Sequence, residues 1–142
     1  MGINRRYFFK TLLNIGGLGA VGAVSYPVIE FMDPPKSGEP NVSSIKAGKT
    51  SEFEYGSARI LKFGRKPVIL IREKGGEFHA LFATCTHLDC IVQYRNDTNQ
   101  ILCACHNGVF DLKGRNVSGP PPKPLTELAV NILNDEIIIS TS

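Results

Sequence analysis

The sequence predicts an N-terminal transmembrane helix followed by an all-β domain, a small antiparallel β-sandwich or barrel with one elaborate loop region. Three observations predict it. Residues 11–29 carry no charged side chain. From residue 42 onward, short runs of branched and aromatic residues alternate with turn residues, with no helical periodicity of useful length. Residues 84–124 break that alternation with turn residues and prolines, and hold all four cysteines and two of the three histidines. At 142 residues the chain allows one modest globular domain.

The elements follow in order. Asn4-Arg5-Arg6-Tyr7-Phe8-Phe9-Lys10 resembles the twin-arginine signal, which is read by machinery that exports folded proteins. Residues 1–10 are therefore expected to be a signal that stays in the cytoplasm. The uncharged run behind it would span roughly 28 Å as a helix, close to the hydrocarbon thickness of a bilayer. Gly16, Gly17, Gly19 and Gly22 would weaken a helix in water, but glycine is common in membrane helices, where small residues permit close packing. The apolar character continues to Phe31, which favours an uncleaved anchor over 11–32 despite a small-x-small site at Ala23-Val24-Ser25. Basic residues ahead of the span hold the N-terminus inside. The expectation is a single-pass protein of a bacterial cytoplasmic membrane, with its domain on the outer, periplasmic face. Residues 33–41, with three prolines and a glycine, read as an extended linker or a hinge.

The domain occupies 42–142. Val68-Ile69-Leu70-Ile71 and Phe78-His79-Ala80-Leu81-Phe82 flank Glu73-Lys74-Gly75-Gly76, which predicts a hairpin. Leu128–Ile132 and Ile137–Ile139 flank Asn134-Asp135 and predict a second. Phe53–Tyr55 and Arg59–Leu61 are weaker strands. His79, alone on a strand, reads as a surface residue. Three of the 16 basic and one of the 13 acidic residues precede residue 33, so the rest of the chain is nearly neutral. A domain without a basic face is a poor partner for nucleic acid.

The chemistry lies in two loops, Cys85-Thr86-His87-Leu88-Asp89-Cys90 and Cys103-Ala104-Cys105-His106-Asn107-Gly108. Each offers a thiolate and an imidazole, and each has one cysteine left over. A mononuclear zinc site accepts two thiolates and two imidazoles, but its knuckles space like ligands two to four apart, whereas here unlike ligands alternate. An all-cysteine [2Fe–2S] cluster, or two structural disulfides, would leave both histidines idle. A [2Fe–2S] cluster with two histidines on one iron uses them.

These loops resemble the two boxes of the Rieske iron–sulfur proteins, which read approximately Cys-Thr-His-Leu-Gly-Cys and Cys-x-Cys-His-Gly-Ser. The resemblance implies a Rieske-type β-fold with cluster-binding loops over 84–124. It implies Cys85 and Cys103 on one iron, His87 and His106 on the other, and a disulfide between Cys90 and Cys105. Such a tie suits an exported domain in an oxidising compartment. Ser118-Gly119-Pro120-Pro121-Pro122-Lys123-Pro124-Leu125 resembles the proline loop that covers the cluster in Rieske subunits of cytochrome bc-type complexes. Leu88, Gly119, Pro120 and Pro121 would then shield the cluster. The implied function is the redox subunit of a quinol–cytochrome c oxidoreductase, not an enzyme on its own. It would take one electron from quinol, with His87 and His106 as candidate proton acceptors, and pass it to a cytochrome haem. The implied partners are a b-type cytochrome subunit, a c-type cytochrome and quinol, within a dimeric multi-subunit complex. Two other readings fit parts of the pattern: the small Rieske subunit of an exported molybdenum oxidase such as arsenite oxidase, and a non-redox zinc-binding anchored module.

Four positions depart from the family pattern. Asp89 and Asn107 replace glycines, and these are the side chains most tolerant of positive φ. Asp89 also adds negative charge, favouring the oxidised state. Gly108 and Phe110 stand where high-potential relatives carry Ser and Tyr, whose hydroxyls donate to the cluster and its ligand sulfur. Loss of both donors implies a low potential, matched to menaquinol.

Overall fold

The computed structural model describes residues 4–33 and 42–141. The chain divides into two compact units; among the described residues one holds a single helix and the other the strands. The hinge expected at 33–41 lies, beyond Asp33, outside the described residues.

Helix α1 runs from Arg5 to Met32, 28 residues with Pro27 inside it. It starts six residues ahead of the uncharged run, because Asn4 caps it by accepting a hydrogen bond from the Arg6 N–H. Its apolar side chains are unburied: Leu13 and Leu18 are each 74% exposed and Phe31 86%. The helix is long and apolar enough to cross a membrane. Pro27 costs a backbone hydrogen bond, a defect that membrane helices accommodate.

The strands of the second unit are β1 (Ser44–Lys49), β2 (Ser57–Phe63), β3 (Lys66–Arg72), β4 (Phe78–Phe82), β5 (Gln93–Arg95), β6 (Gln100–Cys103), β7 (Gly108–Phe110), β8 (Asn116–Ser118), β9 (Glu127–Leu133) and β10 (Glu136–Ser140). Six form one antiparallel sheet in the order β1-β10-β9-β4-β3-β2. Its outer strands β1 and β2 approach each other, so the sheet curls towards a barrel. The other four form a small sheet, β5-β6-β7-β8. The expected antiparallel all-β fold with an N-terminal helix is therefore the observed one.

Both hairpins form where the turn residues place them. β3 pairs with β4 with Val68 opposite Phe82, and β9 pairs with β10 with Ile132 opposite Ile137. The uninterrupted run Val68–Ile71 is explained by burial on both faces, as such runs require. Val68 and Leu70 pack with Phe63, Ala80, Leu128 and Ile139, whereas Ile69 and Ile71 pack with Leu81, Ile101 and Phe110. The second of these cores also contains Cys85 and Cys103. The core of the small sheet and the thiols of the loops are thus one packed body.

Three expectations are corrected. Phe53–Tyr55 is not a strand. A 3₁₀ turn over Thr50–Glu52 precedes it, and the Arg72 guanidinium takes the carbonyls of Thr50 and Phe53 at 3.0 and 2.8 Å, which a ladder would have needed. His79 is not a surface residue but is 8% exposed, opposite Ile71 on the inner strand pair. Residues 84–124 are not loop alone, since β5 to β8 lie among them. The structure also adds β1, which pairs with β10 through a bulge between Lys46 and Gly48.

The β7–β8 connection is a clasp. Asp111 accepts hydrogen bonds from the Lys113 N–H at 2.9 Å, the Arg115 N–H at 2.8 Å and Arg115 Nε at 2.7 Å. Burial works to raise the Asp111 pKa, but the Arg115 and Lys113 contacts together hold it below the ordinary carboxylate range. A carboxyl depressed in the folded state adds stability above its unfolded pKa, and that stability is lost as pH falls through the folded value. Wild type should therefore be more stable than Asp111→Asn near neutrality, and urea melts should show the gap closing on acidification. A gap that stays constant with pH would contradict this role.

Candidate metal centre

Each box is held by a short hairpin. The first is closed by a bridge between Thr84 and Ile91 and by the Val92 N–H bonding to the Ala83 carbonyl at 2.9 Å. Inside it the Cys85 N–H bonds to the Cys90 carbonyl at 2.8 Å, and the Asp89 N–H to the Cys85 carbonyl at 3.0 Å. The second box is the turn between β6 and β7, where Cys103 lies opposite Gly108. Both turns need one left-handed residue near their ends, and these are Asp89 (φ 56°) and Asn107 (φ 55°). The residues that replace the family glycines thus adopt the conformation glycine would supply.

A disulfide joins Cys90 to Cys105 and links the two loops. Cys85 and Cys103 are free, and buried at 1% and 2% exposure. The structure pairs like donors with like. The Cys85 thiol is within hydrogen-bonding reach of Cys103, and the rings of His87 and His106 stand edge to face, 4.7 Å apart. Burial is the largest influence on Cys85 and pushes its pKa up, as does Cys103; the backbone N–H groups of His87 and Leu88 work against them. The Cys85 thiol is thus disfavoured as a free anion, and a bound cation would favour its thiolate form. His87 is half-buried and its Nδ1 is buried with no hydrogen-bond partner, whereas His106 is exposed. Two buried free thiols and a buried orphan imidazole nitrogen, all carried on the same two loops, make up the mixed donor set a [2Fe–2S] cluster of this type needs. These residues fit such a cluster.

The proline loop touches both boxes. Thr86 Oγ1 donates to the Lys123 carbonyl at 2.6 Å, and Asn116 Nδ2 donates to the Pro121 carbonyl. Pro121 is buried, Pro120 exposed. A Cβ on Gly108 would come within 2.6 Å of Pro121 Cγ, so a serine could enter there only if the proline ring moved. The missing hydroxyl at 108 is therefore tied to the seating of Pro121, a link that spacing alone does not reveal. Gly119 has φ +92°, and a Cβ there would lie 2.8 Å from the Asn107 carbonyl oxygen. Gly119→Ala should cost about 1–3 kcal/mol through strain and this backbone clash. Chemical denaturation would measure the loss, and an unchanged midpoint would contradict the close approach. At the opposite margin of the first box Leu88 is 64% exposed, an apolar side chain facing outward beside Asp89.

The fold and the donor set together define a class: a small β-domain built around a loop-held metal centre. Residues 43–130 match the model of the Rieske [2Fe-2S] domain. The chain belongs to the Rieske [2Fe–2S] family, and the group it binds is a [2Fe–2S] cluster. It is 42% identical over 138 residues to the cytochrome b6-f complex iron-sulfur subunit of Chlorobaculum thiosulfatiphilum, a match covering 96% of this chain and 75% of that one. A chain of a hyperthermophilic respiratory Complex III superposes with a TM-score of 0.56 at 27% identity, over 88% of this chain and 97% of that one. The plasma membrane Rieske protein of Synechocystis PCC 6803 gives a TM-score of 0.62 at 21% identity, over 68% of this chain and 99% of that one, a likeness of fold.

Proposed function

We propose that the chain is the Rieske electron-transfer subunit of a cytochrome bc-type, quinol-oxidising complex, with Cys85 and Cys103 on one iron and His87 and His106 on the other. The observation that carries this is the exposed His106 ring standing 4.7 Å from half-buried His87, which leaves an imidazole edge open to a docking molecule. The 42% identity to a cytochrome b6-f iron-sulfur subunit, running through the helix as well as the domain, supports the same assembly. When bound, the cluster supplies a one-electron redox centre.

The residues around it do the rest. His106, being exposed, can hydrogen-bond a quinol hydroxyl through its unligated ring nitrogen and receive the proton that the quinol loses. Leu88 offers apolar surface beside that position for the quinol ring or the walls of its pocket. Cys90–Cys105 and the proline loop hold the two boxes in register and keep water from the buried thiols. Helix α1 anchors the subunit, and Arg5, Arg6 and Lys10 favour a cytoplasmic N-terminus with the domain on the outer face. The twin-arginine motif suits export of a domain already folded around its cluster. A hinge over 33–41 would let the domain travel between quinol and the haem of a c-type cytochrome, within a dimeric complex.

The absence of hydroxyls at Gly108 and Phe110 favours menaquinol as the donor. A Phe110→Tyr variant should raise the reduction potential by about 45 mV, the equivalent of ~1 kcal/mol for one electron. A redox titration reads it. A wild-type potential in the range of ubiquinol-oxidising relatives would sink the menaquinol assignment. The complex itself is tested by purification: a b-type cytochrome should accompany the chain from detergent-solubilised membranes. Recovery with a molybdenum oxidase subunit instead would overturn the proposal.

A further inference from the structure

The β3–β4 hairpin brings a second set of metal-ligating side chains together, remote from the cysteine loops. Ile71 lies opposite His79 and Arg72 opposite Phe78. One step further, the Glu73 N–H bonds to the Glu77 carbonyl at 2.9 Å, so the two glutamates face each other across the mouth of the turn. Side chains alternate along a strand, which puts Glu73, Glu77 and His79 on one face. Like charges directly opposite each other destabilise a hairpin unless a counter-charge joins them.

His79 supplies an independent sign of a ligand. It is 8% exposed, and its Nε2 is buried without a hydrogen-bond partner. The nearest carboxylate oxygen, Glu73 Oε2, is 3.7 Å away, beyond hydrogen-bond range. One ligand atom from each of Glu73, Glu77 and His79 lies within 4.8 Å of the others. Buried polar atoms in folded proteins are satisfied, and an orphan imidazole nitrogen 3.7 Å from one carboxylate, with a second carboxylate in the same group, has the surroundings of a cation ligand. The cleft they line also contains Asp111, Lys113 and Arg115. Arg115 is engaged with Asp111 at 2.7 Å, which leaves exposed Lys113 as the competing cation in the cleft.

We propose that Glu73, Glu77 and His79 form a binding site for a divalent transition-metal cation, represented by Zn²⁺. One imidazole and two carboxylates are a borderline donor set suited to such ions, with water completing the shell. A tetrahedral shell with bonds of about 2.1 Å needs donor atoms about 3.4 Å apart. The donors must therefore close in, and exposed Glu77, at the edge of a turn, is free to do so. The set contains no sulfur. It sits at the opposite end of β4 from the first box, with about 13 Å of strand between His79 and Ala83. Binding would clamp the hairpin and neutralise its facing carboxylates.

The test is calorimetric titration of Zn²⁺ into the untagged, cluster-loaded full chain in detergent, with the visible absorption of the cluster followed in parallel. One equivalent should bind without loss of that absorption. His79→Gln should abolish binding, and Glu77→Gln should weaken it about tenfold or more. Glu54→Gln, an exposed carboxylate elsewhere on the domain, should leave it unchanged. Glu77 is exposed, so its variant carries the test even if His79→Gln fails to fold. The proposal is overturned by a titration that does not saturate, by binding indifferent to Glu77→Gln, or by uptake that bleaches the cluster and so reports capture by Cys85 and Cys103.

Discussion

Cys85→Ser is expected to yield a folded chain that contains no iron and lacks the visible absorption of the cluster. Cys85 is 1% exposed at the end of the core formed by Ile69, Leu81, Ile101 and Phe110, a place where a smaller hydroxyl fits sterically. The environment already resists ionisation of a thiol, because burial pushes the Cys85 pKa up. A serine hydroxyl ionises far less readily still, so it cannot supply the missing anionic ligand. Iron and acid-labile sulfide analysis measures the outcome, with circular dichroism as the check on folding. Full retention of the cluster would reassign the ligand and with it the pairing of thiol with thiol and imidazole with imidazole.

Removing the disulfide has the second large effect. Cys90 and Cys105 are separated by 15 residues in sequence, and a covalent loop of that size is worth roughly 3 kcal/mol through the restriction it places on the unfolded chain. The variant of choice is the double replacement Cys90→Ala, Cys105→Ala. A single replacement would leave a free thiol in a group where the sulfurs of Cys90, Cys103 and Cys105 lie within 4.8 Å of one another, and that thiol could compete with Cys103 as a ligand. Denaturation of the cluster-loaded double variant should show the loss, along with faster bleaching on dilution into chelator. Stability equal to wild type would mean that the cluster and the proline loop suffice to hold the two boxes.

Much of this molecule was legible in its sequence, and the boundary is physical. The Val68–Ile71 run and its Gly75-Gly76 turn encode a hairpin locally, and the two boxes encode their own hairpin turns through Asp89 and Asn107, whose φ values near +55° their side chains tolerate. The membrane helix was equally plain, since length and absence of charge are local properties. Strands β5 and β7 span three residues each, too short to display a period, and they form only because β6 lies between them. β1 was hidden by its lysines and by Gly48 at a bulge, the features of an outer strand of the sheet. The burial of His79 is not legible in the sequence because burial is decided by what packs over a strand, not by the strand. The contact between Gly108 and Pro121 joins residues 13 apart through tertiary packing, so the departure from the family serine could be seen in the sequence but its steric cause could not.

Electron paramagnetic resonance of the reduced protein in its native membranes tests the central claim most directly. A mixed-ligand [2Fe–2S] cluster held by Cys85, Cys103, His87 and His106, with an imidazole open to quinol, predicts a Rieske signal that shifts when a quinone-site inhibitor is added. A chain with no such signal would contradict the ligand set, and a Rieske signal indifferent to the inhibitor would contradict quinol oxidation at His106.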